Sequence, residues 1–104
     1  MSKEIKNIVY IAGPMTGIEE YNRKGFAEAE EELSMSNLNE AIINPRHNFC
    51  GNDAMSWHTC MRFSIHQMLC AQSIYMLRGW ENSKGARAEM IVAHALGLEI
   101  RIQP

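Results

Sequence analysis

The sequence predicts an α/β fold: a small flavodoxin-like, Rossmann-like sandwich of three layers, with four parallel strands in the order 2-1-3-4. Three observations support this fold class. Short strand-like segments alternate with longer helical segments along the whole chain, which is typical of a parallel sheet covered by helices. Glycine or proline follows three of the strand-like segments, at Gly13, Pro45 and Gly79. Right-handed crossovers between parallel strands then leave few possible topologies.

Each element is predicted from its own pattern. The β-branched and aromatic run Asn7–Ala12 predicts a buried strand. Phe26, Ala29 and Leu33 recur at the spacing of one helix face, and acidic residues fill the opposite face. Ser56 is a candidate N-cap for the second helix. In chain order the predicted elements are a strand at 7–12, a helix at 21–35, a strand at 41–44, a helix at 56–70, a strand at 73–77, a polar loop at 79–85, a helix at 86–95 with Gly97 as its C-cap, and an edge-like strand at 98–102.

The composition argues against several classes of partner. A formal net charge of −2 gives no electrostatic reason to bind nucleic acid or an anionic membrane surface. No apolar run approaches the roughly 20 residues that span a bilayer, and the first residues lack a signal-peptide pattern. We therefore expect one cytoplasmic domain over residues 1–104, with a small-molecule partner and neither a nucleic acid polymer nor a membrane as partner. We also expect a homo-oligomer, because so short a chain buries only a small core.

The cysteines do not form a metal-binding pattern. Cys50, Cys60 and Cys70 are an odd number, which argues against a disulfide framework. No CxxC motif occurs, and His58-Thr59-Cys60 lacks the two-residue gap that zinc ligands usually have. We expect no metal and no cofactor.

Two glycine-bearing loops are predicted to form one crevice. Ligands of such sheets bind beyond the carboxyl ends of the strands, at the point where the strand order reverses. Here that point lies between the first and third strands. Either loop has a simpler alternative, since the first can be a turn alone and Ser83 can be only a helix cap. The candidate ligand-binding residues are Gly13, Pro14, Met15, Thr16 and Gly17 in the first loop, and Gly79, Trp80, Ser83 and Gly85 in the second.

Glu89 is the candidate catalytic residue. It shares a helix face with Ala86 and Ala93, a stripe of small residues expected to pack toward the sheet. A buried carboxylate costs several kcal/mol unless it is paired or hydrogen-bonded, and near a pocket it is a candidate nucleophile or base. The alternative is a glutamate that favours the helix dipole and points to solvent.

Three segments carry a resemblance to a known family. These are "VYIAGPMTG" near the start, "INP" in the middle and "IYMLRGWENSKGARAE" late in the chain. They resemble small phage and bacterial domains of unknown function (DUF4406-like), which are similar to nucleoside 2-deoxyribosyltransferases and 2'-deoxynucleoside 5'-phosphate N-hydrolases. The resemblance covers most of the chain, and the last segment is the most specific.

The resemblance implies a reaction at the N-glycosidic bond of a 2'-deoxynucleoside or its 5'-monophosphate. It implies that Glu89 attacks the anomeric carbon, that the loop from Gly13 to Gly17 lies at the sugar or its 5' end, and that Ser83 contacts a 5'-phosphate. It also implies an oligomer in which a neighbouring chain closes the site.

Two positions depart from the family pattern, and the lesser departure is Arg78, which stands where proline is common before Gly79. Gln72 stands where the family usually has an aspartate near the start of the third strand. The resemblance therefore implies that Gln72 is a substrate-binding residue. A glutamine can form hydrogen bonds but cannot give or take a proton in that role. Three hypotheses therefore remain: an N-glycosidic-bond enzyme, a nucleotide-binding module that has lost catalysis, and an interaction protein that uses the fold as a scaffold.

Overall fold

The computed structural model describes residues 7–15, 22–36, 39–45 and 56–104. Among these residues, no helix is long and apolar enough to cross a membrane. The described elements are β1 (Asn7–Ala12), α1 (Arg23–Ser36), β2 (Glu40–Ile43), α2 (Trp57–Met68), β3 (Ser73–Met76), a short 3₁₀ helix (Trp80–Asn82), α3 (Lys84–Leu96) and β4 (Glu99–Ile102).

The four strands form one parallel sheet in the order β2-β1-β3-β4, which confirms the predicted topology. Tyr10 in β1 is in register with Ile43 of β2 and Ile74 of β3. β1 and β3 are therefore the central strands, while β2 and β4 are the edges. The strand order reverses between β1 and β3, as the sequence predicts.

Each face of the sheet buries its own hydrophobic cluster, so the fold has three layers. Val9 and Ile11 of β1 pack with Phe26, Ala29 and Leu33 of α1 on one face. Because side chains alternate along a strand, their neighbours Tyr10 and Ala12 point to the opposite face. There they pack with residues of α2, α3 and β3, namely Met68, Ala86, Ala93, Ile74 and Met76.

The predicted caps are confirmed. The Ser56 hydroxyl accepts a hydrogen bond from the Thr59 amide at 3.1 Å, which begins α2. Gly97 ends α3 with φ 74°, the left-handed conformation that glycine adopts without steric cost.

The segment between β3 and α3 is more ordered than predicted. A 3₁₀ helix stands where the sequence predicts an irregular loop, because the amides of Asn82 and Ser83 bond back to the carbonyls of Gly79 and Trp80 at 3.1 and 3.0 Å. The Ser83 hydroxyl accepts a hydrogen bond from the Ala86 amide at 3.1 Å. α3 therefore begins at Lys84, two residues before the predicted start.

Candidate active site

The loops that follow β1 and β3 lie against each other at the carboxyl end of the sheet. The Leu77 amide donates to the Ala12 carbonyl at 2.8 Å, which aligns the two strand ends. A Cβ at Gly13 would lie 2.8 Å from the Leu77 Cβ, so only glycine fits this approach. Gly79, at φ 86°, would bring a Cβ to 3.6 Å from the Pro14 ring. The predicted pairing of the two glycine-bearing loops is therefore present.

The first loop is described only as far as Met15. Gly13 and Pro14 are buried, and Met15 is half-buried against the α1-side cluster. The predicted ligand-binding residues Thr16 and Gly17 lie outside the described residues. The structure thus places the first three of the five predicted residues of this loop.

The second loop contributes residues that pack as well as residues at its surface. Trp80 is half-buried against the cluster that contains Tyr10 and Ala86. Ser83 uses its hydroxyl to cap α3. Capping is therefore the role that the structure gives Ser83, and its hydroxyl can still donate a proton to a further acceptor.

The first turns of α2 and α3 lie side by side. The Lys84 Nζ lies 4.3 Å from the centre of the Trp57 ring, a cation–π contact. A Cβ at Gly85 would lie 3.5 Å from the Met61 sulfur and 3.6 Å from the Trp57 indole nitrogen, so the two helices approach closely here. Helix N-termini favour anions through their free amides and the helix dipole.

Glu89 is buried in the layer between the sheet and the two helices. Its residue is 6% exposed, and Ala86 and Ala93 on the same face are 1% and 0% exposed. The predicted inward face of α3 is therefore correct, and the solvent-exposed alternative is excluded. The Tyr10 hydroxyl of β1 donates a hydrogen bond to the Glu89 carboxylate at 2.6 Å. The Ser64 hydroxyl of α2 donates a second one.

Burial dominates the acid–base behaviour of this carboxyl group. Loss of solvent raises the pKa of Glu89 from 4.5 to about 7, and the hydrogen bonds from Tyr10 and Ser64 oppose the shift. Near neutral pH the group therefore divides between its acid and its carboxylate form. Such a group can act as a nucleophile or exchange a proton at that pH.

Gln72 lies away from this arrangement. It precedes β3, whereas the two loops follow β1 and β3, so the length of the strand separates Gln72 from Leu77 by about 16 Å. Its side-chain oxygen accepts a hydrogen bond from the Ile8 amide at 2.8 Å. The structure does not bring Gln72 together with the other predicted site residues.

A family model matches most of the chain. The model for the domain of unknown function DUF4406 matches residues 7–102. The chain belongs to this family. A comparison of its sequence with curated proteins finds no match.

A solved structure shares the fold of this DUF4406 domain. It is a 2-deoxyribosyltransferase from the psychrotolerant bacterium Bacillus psychrosaccharolyticus, described as a biocatalyst for the synthesis of antiviral and antitumoral nucleosides. The TM-score is 0.69 at 18% sequence identity, over 91% of this chain and 70% of the other. At this identity the likeness establishes a common fold.

Sequence analysis missed two residues that contact Glu89. The sequence predicts Tyr10 only as part of a buried strand, and it predicts no site role for Ser64. Each does carry a weak signal. Tyr10 interrupts the aliphatic residues of β1, and Ser64 is a hydroxyl residue in the middle of α2, where serine is not favoured for its helix propensity. Neither signal identifies Glu89 as the partner, because these contacts join residues far apart in the DUF4406 chain.

Proposed function

We propose that this protein cleaves or transfers at the N-glycosidic bond of a 2'-deoxynucleoside or its 5'-monophosphate, with Glu89 as the nucleophile. The observation that carries the proposal is the buried Glu89 carboxyl group, held by the Tyr10 hydroxyl at 2.6 Å. Among the described residues, the contacts that lower the pKa of Glu89 come from neutral hydroxyl groups. Burial therefore leaves the carboxylate form of Glu89 high in free energy. A carboxylate in that state gains from meeting a developing positive charge.

The shared fold supports a proposal for the positive charge that the Glu89 carboxylate stabilises. The solved structure with the same fold is a 2-deoxyribosyltransferase. Cleavage of an N-glycosidic bond passes through a transition state with oxocarbenium character at the anomeric carbon, which a nearby carboxylate stabilises. The absence of a 2'-hydroxyl makes this cation easier to form. A small site with one well-placed carboxylate is therefore suited to a deoxyribose substrate.

The reaction we propose is a double displacement. A Glu89 carboxylate oxygen bonds to C1' while the bond from C1' to the base nitrogen breaks, and the base leaves with the electron pair and acquires a proton. The product is a deoxyribosyl ester of Glu89. A nitrogen of a second base, or a water molecule, then attacks C1', gives up a proton to solvent and releases the carboxylate, giving transfer or hydrolysis respectively. This proton balances the one that the departing base takes from solvent in the first step.

The surrounding residues have separate roles in this proposal. Tyr10 and Ser64 orient the Glu89 carboxylate and stabilise its charge. The paired loops form the wall of the sugar site, with Trp80 beside the base. A 5'-phosphate, where present, lies at the first turn of α3 near Ser83 and Gly85. We also propose that a second copy of the chain helps to close the site.

The test is chromatographic. The protein is incubated with a panel of 2'-deoxynucleosides and their 5'-monophosphates, with and without an acceptor base, beside Glu89→Gln. The matched control is Glu81→Gln, which removes an exposed carboxylate between β3 and α3. We expect free or exchanged base from the wild type and from Glu81→Gln, and none from Glu89→Gln.

Other outcomes would contradict the proposal in different ways. Full turnover in Glu89→Gln would remove Glu89 as nucleophile, and loss in Glu81→Gln alone would transfer the role to Glu81. No product from any substrate would contradict the enzymatic function. Equilibrium binding of the same nucleotides would then separate a binding module from a protein that has no affinity for nucleotides.

A further inference from the structure

In the turn that follows β3, the Arg78 backbone amide bonds to a side chain outside the turn. The Trp80 amide donates to the Leu77 carbonyl at 3.1 Å and closes the turn. Gly79 has φ 86° and ψ 3°, the values of the third residue of a type II turn. The Arg78 amide takes no part in this closure and donates instead to the Gln103 side-chain oxygen at 3.0 Å.

Gln103 is itself fixed from two directions. Its backbone amide donates to the Met76 carbonyl at 2.9 Å, which continues the pairing of β3 with β4. Its side-chain nitrogen donates to the Glu32 carboxylate of α1 at 3.0 Å. A carboxylate can only accept and an amide N–H can only donate, so the two contacts specify one orientation of the side-chain amide. The residue is 8% exposed, which is unusual for glutamine.

Among the described residues, open space borders this contact. A cavity of about 160 Å³ lies on the α1 side of the turn. The lining residues are Asn22, Gly25, Glu28, Leu77, Arg78 and Gln103.

We infer that Gln103 is a positioning residue for the proposed site. Through the Arg78 amide it sets the place of Gly79 and Trp80 relative to Pro14, and through Glu32 it ties that place to α1. This inference rests on the proposed function for its catalytic meaning, because Gly79 and Trp80 belong to the proposed substrate wall. The placement of the turn itself can be measured without any substrate.

The test uses two variants and their combination. Gln103→Met keeps the size of the side chain and removes both hydrogen bonds. Gln103→Glu keeps the acceptor for the Arg78 amide but places a carboxylate against Glu32. Gln103→Glu combined with Glu32→Gln restores a pair of one carboxylate and one amide with the donor and acceptor exchanged. Arg78→Met is the matched control, since it keeps the amide of residue 78 and loses only the exposed contact to the Pro104 carbonyl.

The first readout is hydrogen exchange at the amide of residue 78, followed by NMR. We expect exchange about tenfold faster in Gln103→Met, the effect of one lost hydrogen bond, and unchanged in Arg78→Met. Gln103→Glu should disturb the turn, and the double variant should restore it. Unchanged exchange in Gln103→Met, with a lower melting temperature only, would overturn the inference, and so would a double variant no better than Gln103→Glu.

The second readout separates this inference from the proposed function. For a substrate that the wild type turns over, KM should rise about tenfold in Gln103→Met while kcat stays within about twofold, as when a binding surface is displaced. A wild type without turnover contradicts the proposed function, and the exchange rates then decide the role of Gln103 alone. Faster exchange with an unchanged KM would overturn the positioning role in the reaction.

Discussion

Two glutamates on opposite faces of the sheet, Glu40 and Glu89, have opposite electrostatics. The Glu40 side chain, at the start of β2, is 4% exposed and receives two hydrogen bonds from the Arg101 guanidinium, at 2.7 and 3.1 Å. Asn7 adds a third at 2.8 Å. These contacts, chiefly those from Arg101, hold the pKa of Glu40 below its usual value. Glu89 is more deeply buried, and burial raises its pKa to about 7.

The difference distinguishes a structural carboxylate from the one that we propose to be reactive. Arg101 reaches from β4 across the two central strands to Glu40 on β2, so the ion pair ties both edges of the sheet together. Arg101 thus neutralises the charge of Glu40 within the protein. The charge of Glu89 meets hydroxyl groups instead, and its carboxylate form keeps the free energy that a cationic transition state can release. The candidate site is therefore marked by a carboxylate that is buried with no cationic partner among the described residues.

The largest expected effect is the removal of a pH-dependent loss of stability when Glu89 is replaced. Since the pKa of Glu89 in the folded state is above its unfolded value, wild-type stability falls as pH rises from about 4.5 to about 7. That window corresponds to about 3 kcal/mol. Glu89→Gln should lack this loss and be more stable than the wild type at about pH 8. Urea unfolding at several pH values measures the difference, and equal pH dependence in both proteins would show that Glu89 is not desolvated.

A loss of stability of about 2 kcal/mol is expected for Glu40→Gln, because Arg101 keeps its charge and loses a bidentate partner. The lowered pKa of Glu40 means that its contribution is present above the unfolded pKa and is lost as pH falls through the folded one. The deficit of the variant should therefore shrink in acid. Base release per folded molecule should stay within about twofold of wild type. A much larger loss of base release would show that Glu40 also contributes to the reaction.

A tenfold loss of activity near neutral pH is expected for Tyr10→Phe. The Tyr10 hydroxyl donates to Glu89 at 2.6 Å and lowers the pKa that burial raises. Without this hydrogen bond, the pKa of Glu89 should rise further. Since the carboxylate is the active form, the acid limb of kcat/KM should move to higher pH. Tyr75→Phe is the control, because its hydroxyl contacts Glu32 on the α1 side. A shift of the acid limb of kcat/KM in both Tyr10→Phe and Tyr75→Phe, or in neither, would contradict the role of Tyr10.

The smallest effect is expected for Gln72→Asp. The shorter side chain reaches the Ile8 amide less well, which should cost about 0.5 kcal/mol or less of stability. Turnover should stay within about twofold, because position 72 lies at the other end of β3 from the paired loops. A tenfold gain in turnover would instead identify Gln72 as the change that weakens an ancestral activity.

The fold was largely predictable because local patterns determine it. Alternation of strands and helices, the strand order and the caps at Ser56 and Gly97 all follow from short stretches of sequence and are confirmed. The 3₁₀ helix at Trp80–Asn82 was missed, since it depends on the turn at Gly79 rather than on a periodic pattern.

The candidate site was predictable only in part. The small-residue face of α3 predicts an inward Glu89, and the loop pairing follows from the strand order. The partners of Glu89 could not be predicted, because Tyr10 lies 79 residues away in the chain and the contact depends on how α3 crosses the sheet. The sequence predicts that Gln72 lies at the amino end of β3, but it does not predict the hydrogen bond to Ile8.

The most direct test of the account is a search for the covalent intermediate. The protein is incubated with a 2'-deoxy-2'-fluoroarabinonucleoside, whose fluorine slows breakdown of a glycosyl ester, then quenched in acid, digested and analysed by mass spectrometry. If Glu89 is the nucleophile, the peptide that contains it carries one added sugar, and the same peptide of Glu89→Gln carries none. A sugar on any other carboxylate, or base release by the wild type with no modified peptide, would contradict it.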